Sequence, residues 1–431
     1  MEKYSEYKDS GVQWLGEIPS HWKTVPFKSI FCLTKGLSIT KVNLVDEGAN
    51  VISYGQIHSK QNKSIRIVPE LYRKVSKEYL GVSPQSLCNK EDFLIADTSE
   101  DIIGSGNFVR VDEEQLLFAG YHTIIARNKK PENGEFLAYL MLSDRWRMQI
   151  WIQVHGVKLY SISRGILNAT KFLLPSIEEQ HAIVSYLDTK CSKLDTFISN
   201  KEKEITLLQE MKQRVIADAV TRGLNPKVKF KPTNISWLPE IPEHWKMSKV
   251  SSHFRQRNEK VSDKKYSPLS VSKIGITPQL DNVALSNAEG NSRKLVKVGD
   301  YAVNSRSDRK GSCGISNYEG SVSLITIVLE PFDIDGGYVH YLFRSSPWVE
   351  EFYRNGRGIV ADLWTTNYQM MKGMYLSVPP IEEQHAIVSY ITERVVKIDS
   401  LIEKLNKEIE CIKEYKQRLI SDVVTGQIKV S

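Results

Sequence analysis

Cysteine is scarce in this 431-residue chain: Cys32, Cys88, Cys191, Cys313 and Cys411 lie far apart and never form a C-x-x-C pair. That spacing argues against a structural zinc site and suits a reducing compartment. Apolar runs stay well short of the roughly 20 residues that a membrane-spanning helix needs. The opening MEKYSEYKDS has no apolar stretch of the signal-peptide kind, so a cytoplasmic protein with no membrane association is expected. Catalytic signatures are missing too: there is no G-x-x-x-x-G-K-S/T phosphate loop, no G-x-G-x-x-G cradle after a strand and no H-E-x-x-H pair. Nor is there an Asn/Asp-Pro-Pro-Tyr/Phe segment able to grip a flipped adenine. His181 and His385 sit beside glutamates, but exposure in the first turns of a helix explains them.

What remains is an ordinary folded composition, 41% hydrophobic and 25% charged, in a chain long enough for two to four structural units. The net charge is +7 and it is unevenly spread: Lys246 to Lys310 holds 14 basic and 6 acidic residues. A basic segment of that kind is an electrostatic footprint for a polyanion.

Internal repetition is the strongest signal. Ile177 to Tyr186 reads IEEQHAIVSY, and the same ten residues return from Ile381 to Tyr390, 204 positions later. At that offset Lys193 and Asp195 recur as Lys397 and Asp399, Lys212-Gln213-Arg214 as Lys416-Gln417-Arg418, and Asp218, Val220 and Thr221 as Asp422, Val424 and Thr425. A second repeat opens each half: WLGEIPSHWK from Trp14 is answered by WLPEIPEHWK from Trp237, offset by 223. Flanks are kept while the middles differ in length and sequence. Trp22 and Trp245 are expected to anchor these flanks in apolar cores.

Each IEEQ repeat predicts a long helix. With Val184 at position a, apolar residues recur at a and d through Ala219, and the second copy repeats the seam from Val388 to Val423. Ser176 with Glu179 suggests a capping box, Pro380 suits a first turn, and Gly223 ends the first helix. About 45 residues give a rod of roughly 65 Å. Only a short segment separates the first helix from the second globular unit, so the two helices are expected to pair antiparallel, with pseudo-twofold symmetry. Lys212 and Lys416 at a, and Lys201 at d, interrupt the seam.

The globular parts read as mixed α/β, an α+β arrangement of short strands such as 50–54, 93–96, 123–126, 301–304 and 324–329. They correspond internally: Lys90-Glu91-Asp92-Phe93 parallels Val298-Gly299-Asp300-Tyr301, and each leads into a polar loop, 97–104 or 305–311. One fold used twice with different surfaces is the expectation. The boundaries this implies are 1–175 and 224–379 for the globular domains, 176–223 and 380–431 for the helices.

These residues are familiar. The S-G-V-x-W-L-G-E-I-P-x-H-W-K opening, the P-x-I-E-E-Q-x-A-I helix start and the endings V-I-A-D-A-V-T-R-G and L-I-S-D-V-V-T-G resemble the specificity subunit of Type I restriction-modification systems, over essentially the whole chain. The resemblance implies two target recognition domains that each read half of a bipartite, asymmetric sequence in double-stranded DNA, with the helices as spacer. It implies two modification subunits that use S-adenosylmethionine to methylate adenine at N6, and restriction subunits that need ATP and Mg²⁺. It implies that this chain binds no cofactor or metal and carries no catalytic group.

Candidate DNA contacts are the polar loop residues Lys35, Ser38, Lys41, Tyr54, Gln56, Lys60 and Ser99 in the first domain. In the second they are Arg255, Arg257, Lys273, Ser305, Arg306, Arg309 and Lys310. Arg214, Asp218, Arg418 and Asp422 are candidates for subunit contact. A coiled-coil scaffold carrying two protein-binding domains is the alternative reading.

Overall fold

Short alternating runs with several fully apolar strands require sheets covered on both faces, and each half of the chain builds one from four strands. The structure, a computed structural model, describes residues 2–12, 15–62, 64–130, 133–156, 158–279, 292–358 and 364–430. Trp14 of the first repeat lies outside them. The chain divides into two units, Met1–Asn200 with Lys407–Ser431, and Lys201–Asn406.

In the first unit, strands β1 (Phe31–Lys35), β2 (Leu44–Ile52), β3 (Arg73–Val75), β4 (Leu87–Cys88), β5 (Phe93–Ala96), β6 (Phe108–Arg110), β7 (Leu117–Ala119) and β8 (Thr123–Asn128) form two sheets. One has the order β6-β5-β8-β1 and is wholly antiparallel, with Ile125 opposite Leu94 and Thr34; the other has the order β3-β2-β7-β4. All four residues of β5 are buried, which is why Phe-Leu-Ile-Ala shows no alternation. Helices α1 (Gly134–Leu142) and α2 (Asp144–Trp151) follow, and Ser143 caps α2 by accepting from the Trp146 amide. The core packs Phe27 against Phe31 and Trp146 against Phe172 in tilted pairs, with ring centroids 4.9 and 5.4 Å apart.

The second unit repeats this plan. Its strands include β9 (Phe254–Arg257), β10 (Lys260–Val261), β11 (Leu269–Ser272), β12 (Gly275–Pro278), β13 (Arg293–Val296), β14 (Tyr301–Asn304), β15 (Cys313–Ile315), β16 (Gly320–Ser323) and β17 (Thr326–Pro331). The sheet β9-β17-β14-β15 matches β1-β8-β5-β6 strand for strand, all antiparallel. Beside it lie the β10-β13-β16 sheet and the β11–β12 hairpin. In both units the four-stranded sheet is followed by a helix pair, here Gly336–Leu342 and Ser346–Arg354, with Trp348 stacked on Phe343 at 4.1 Å.

The long helices form as expected. Ile177–Arg222 is one helix of 46 residues, labelled α3; Gly336–Leu342 is α4, Ser346–Arg354 is α5, and Ile381–Val424, of 44 residues, is α6. The first ends on Gly223 at φ +74° and the second just before Gly426 at φ +73°, the left-handed conformation that stops a helix. Each helix starts in one unit and ends in the other. Within the first unit the start of α3 packs antiparallel to the end of α6, burying Ile183, Leu187, Leu419 and Val423; within the second, the end of α3 packs with the start of α6, burying Ala219, Val220, Ile387 and Ile391.

The lysines that interrupt the heptad are ion-pair positions. Lys416 Nζ lies 2.6 Å from Asp195 of α3 in the first unit, and Lys212 Nζ lies 2.7 Å from Asp399 of α6 in the second. Lys212 and Lys416 are repeat equivalents, as are Asp195 and Asp399, so both units hold the same pair with the helices' roles exchanged. Lys201 meets Glu204 at 3.3 Å on its own helix.

Candidate nucleic-acid interface

The two repeat motifs meet in space. In the first unit Glu179, the second glutamate of IEEQ, accepts from Trp22 Nε1 at 3.1 Å and from the Tyr4 hydroxyl at 2.5 Å, and lies 2.9 Å from His21 Nε2. Burial and then this carboxylate push the Tyr4 hydroxyl well above its ordinary range. In the second unit Glu383 accepts from Trp245 Nε1 at 3.0 Å and lies 2.7 Å from His244 Nε2. Gly426 closes the first contact from the end of α6: a Cβ there would stand 2.4 Å from Pro19. Gly223 closes the second against Trp245. Half of the expected capping box is therefore redirected: the Glu179 amide does donate to Ser176 Oγ at 3.3 Å, but its carboxylate is committed to the domain flank. Glu178 keeps the electrostatic role, its carboxyl lowered by backbone and Ser176 hydrogen bonds at the helix start.

A loop follows β5 and another follows β14, each with its first residues partly or fully buried and its middle exposed. The first, Asp97 to Gly104, carries Asp97, Glu100 and Asp101 and no base; the second, Ser305 to Gly311, carries Arg306, Arg309 and Lys310 against Asp308.

The candidate residues divide by environment. Lys35, Ser38, Lys41 and Lys60 are exposed. Tyr54 is 37% exposed and forms an aromatic cluster with Tyr121 at 6.2 Å and His122 at 5.5 Å. Gln56 turns its side-chain oxygen inward to the Ser53 amide, 3.1 Å away. Ser99 and Ser305 are buried, the former accepting from the Asp101 amide. In the second unit Arg255 lies over the Phe332 ring at 5.3 Å. Arg257 is held by Asp300, with Nε at 2.6 Å and Nη2 at 3.1 Å, and that hydrogen bonding raises its pKa. Arg306 forks onto Asp308 with two contacts of 3.0 Å, and Lys310 reaches Glu350 at 2.9 Å. Arg309 and Lys273 are exposed, with no ion-pair partner among the described residues. The fold thus brings Arg306, Arg309 and Lys310 onto one loop, with Lys273 on the β11–β12 hairpin tip.

Sequence reasoning missed Tyr121 and His122. They form the turn into β8, where His122 adopts φ +54° and its Nδ1 lies 2.7 Å from Asp97. A left-handed non-glycine residue tied to an acidic neighbour is a strained loop tip. The only signal was a Gly-Tyr-His step before a β-branched run.

Among the described residues no group of three or more His, Cys, Asp or Glu could hold a metal ion, and no helix is long and apolar enough to cross a membrane.

A family model described as the Type I restriction modification DNA specificity domain matches residues 19–207. Over 435 residues the chain is 24% identical to a putative type I restriction enzyme specificity subunit, MjaX, of Methanocaldococcus jannaschii, covering 96% of each. It is 21% identical to the StySPI specificity subunit of Salmonella potsdam, covering 96% of this chain and 90% of the relative. The family model and these relatives together make the chain similar to the specificity subunits of type I restriction enzymes. Solved structures agree in fold. A chain of a type I restriction-modification system, studied for its complex assembly and conformational transition, superposes with a TM-score of 0.68 at 15% identity, over 95% of this chain and 99% of that one. The specificity subunit of Thermoanaerobacter tengcongensis gives 0.50 at 15% identity, over 95% and 98%. In both units the two repeated motifs meet where the helix start closes onto the domain flank.

Proposed function

We propose that this chain is a specificity subunit that reads an asymmetric, bipartite target in double-stranded DNA, with residues 1–175 and 224–379 as its two target recognition domains. The helices of 176–223 and 380–431 act as the spacer and recruit two modification subunits; restriction subunits join that complex. S-adenosylmethionine belongs to the modification subunits, and ATP and Mg²⁺ to the restriction subunits, so the chain itself recognises DNA without catalysing a reaction. The cytoplasm, where DNA and these partners meet, is its place of action.

The observation that carries this reading is one four-stranded sheet built twice in the same strand order, with differently charged loops at the matching edge. Recognition needs loops that differ, because base edges differ; assembly needs surfaces that recur. Recurring surfaces are present on the helices. The i,i+4 pairs Arg214–Asp218 at 3.5 Å and Arg418–Asp422 at 3.6 Å are repeat equivalents. So are the exposed apolar residues Phe197 and Leu401, and Met211 and Tyr415, which offer each modification subunit an equivalent contact.

Co-expression with the modification subunits followed by methylome sequencing tests the reading. One motif of two unlike half-sites, methylated at adenine N6, is the expected result. A palindrome, a continuous motif or no methylation contradicts it.

A further inference from the structure

A cleft of about 640 Å³ in the second unit opens between the β11–β12 hairpin tip, the loop after β14, the α4–α5 corner and the long helices. Four cations line it, Lys212, Lys273, Lys310 and Arg344, against one carboxylate, Glu350. Lys212 is committed to Asp399 and Lys310 to Glu350. Arg344 has no carboxylate within ion-pairing distance among the described residues. Its Nη1 donates instead to His340 Nε2 at 3.1 Å. Burial, aided by the Arg344 charge, lowers the His340 pKa to about 4, so the imidazole stays neutral at physiological pH and accepts from the guanidinium without altering the charge of the cleft. Two cations, Arg344 and Lys273, therefore face a concave surface without a counter-charge.

The first unit shows that the fold does not require this. At the matching corner, aligned on Trp146 and Trp348, Arg344 is replaced by Leu142, His340 by Ala138 and Ser346 by Asp144. On the adjoining helix Thr392 answers Asp188, and both bond the equivalent tyrosine: Tyr341 to Thr392 at 3.0 Å, Tyr139 to Asp188 at 2.6 Å. Gln417 then closes the corner by donating to the Leu142 carbonyl at 2.8 Å and to Asp144 at 2.9 Å. Its equivalent Gln213 lines the open cleft, and its side chain has no hydrogen-bond partner among the described residues. At this corner of a shared scaffold the second unit has Arg344 and His340 for Leu142 and Ala138 and lacks Asp144 and Asp188, while its cleft residues Val349 and Glu350 answer Arg147 and Met148 of the first.

We propose that this cleft is an anion site that holds a phosphodiester group of the DNA backbone, gripped by Arg344 and Lys273 with Gln213 as an added donor. The proposal rests on the DNA-recognition reading and places a backbone anchor on the second unit alone. Guanidinium and ammonium donors bind phosphate strongly when no carboxylate competes, and such contacts position a protein on duplex without reading sequence.

The test uses the complex assembled with its modification subunits and measures binding to target duplex across a salt series. Arg344→Leu, which installs the residue found at the matching corner, and Lys273→Ala on the hairpin tip should each weaken binding. Each should also lower the slope of log affinity against log salt by about 0.9, the value for one phosphate that is no longer neutralised. Sequence preference should be unchanged. An unaltered slope in both variants overturns the proposal, as does dissociation of the modification subunits with the slope intact, which would make the cleft a protein-docking site. If the unmodified complex binds duplex without salt dependence or preference, the recognition reading fails and takes this proposal with it.

Discussion

The two units close on their helices through the same glutamate, histidine and tryptophan, yet the surfaces they present beyond that closure have opposite character. The first offers an acidic loop, an aromatic cluster at Tyr54, Tyr121 and His122, and a corner sealed by Gln417. The second offers a basic loop and an open corner with an uncompensated arginine. Within the globular parts the residues that recur are those that bury a helix start, stop a helix or pair two helices; on the helices exposed residues recur as well. Where the units diverge, the side chains reach solvent. On the proposed reading, the first unit would hold DNA with little charge at its edge loop, whereas the second would grip the backbone directly.

The comparison can be broken by testing whether equivalent positions are equivalent in energy. Trp22 and Trp245 are both fully buried, so Trp22→Ala and Trp245→Ala should each cost about 3–5 kcal/mol. Denaturant titration should give similar destabilisation for the two. A large cost in one and a negligible cost in the other would show that the repeat is not structural in both units.

An acid-sensitive difference follows next in size. His340 has a folded pKa of about 4, below its ordinary 6.5, whereas the matching residue Ala138 cannot titrate. Between those values the unfolded chain binds a proton that the folded chain does not, so the contribution to stability is present above pH 6.5 and is lost as pH falls toward 4. The slope is up to about 1.4 kcal/mol per pH unit. The gap in stability between the protein and His340→Ala should change across that window; a constant gap would remove His340 from the account.

The smallest effect belongs to the interhelical ion pairs. Lys212–Asp399 and Lys416–Asp195 are partly exposed, and such pairs contribute about 0.2–1 kcal/mol. A double-mutant cycle on each should return coupling of that size and matched between the units. Coupling absent from one unit would separate their helix registers.

Much of this arrangement was legible because the repeats carry it. IEEQ, HWK and the terminal Thr-Arg-Gly and Thr-Gly steps mark the closure, and short apolar runs bounded by polar and glycine-rich segments located β5, β8 and β14 within a residue or two. The partner of Glu179 was not legible, because a glutamate three residues after a serine suits a capping box equally well until Tyr4, His21 and Trp22 are brought to it. The lysines at heptad a positions looked like defects because their partners, Asp399 and Asp195, are 187 and 221 residues distant in sequence. Loop composition did not separate presented side chains from committed ones. Arg257 is spent on Asp300 and Ser99 is buried, although both read as polar loop residues. Arg344 carries no signal in sequence because its meaning lies in what surrounds it, a neutral histidine and, among the described residues, no carboxylate within ion-pairing distance.

The central claim is that one scaffold carries two independent readers whose specificity lies in the divergent edge loops. Replacing Ser305 to Gly311 with the corresponding loop of a relative that has a different target, then sequencing the methylome of cells carrying the chimera and its modification subunits, tests it most directly. The account predicts that one half of the bipartite motif changes while the other half and the spacing between them are retained. Alteration of both halves, or of neither, would contradict it.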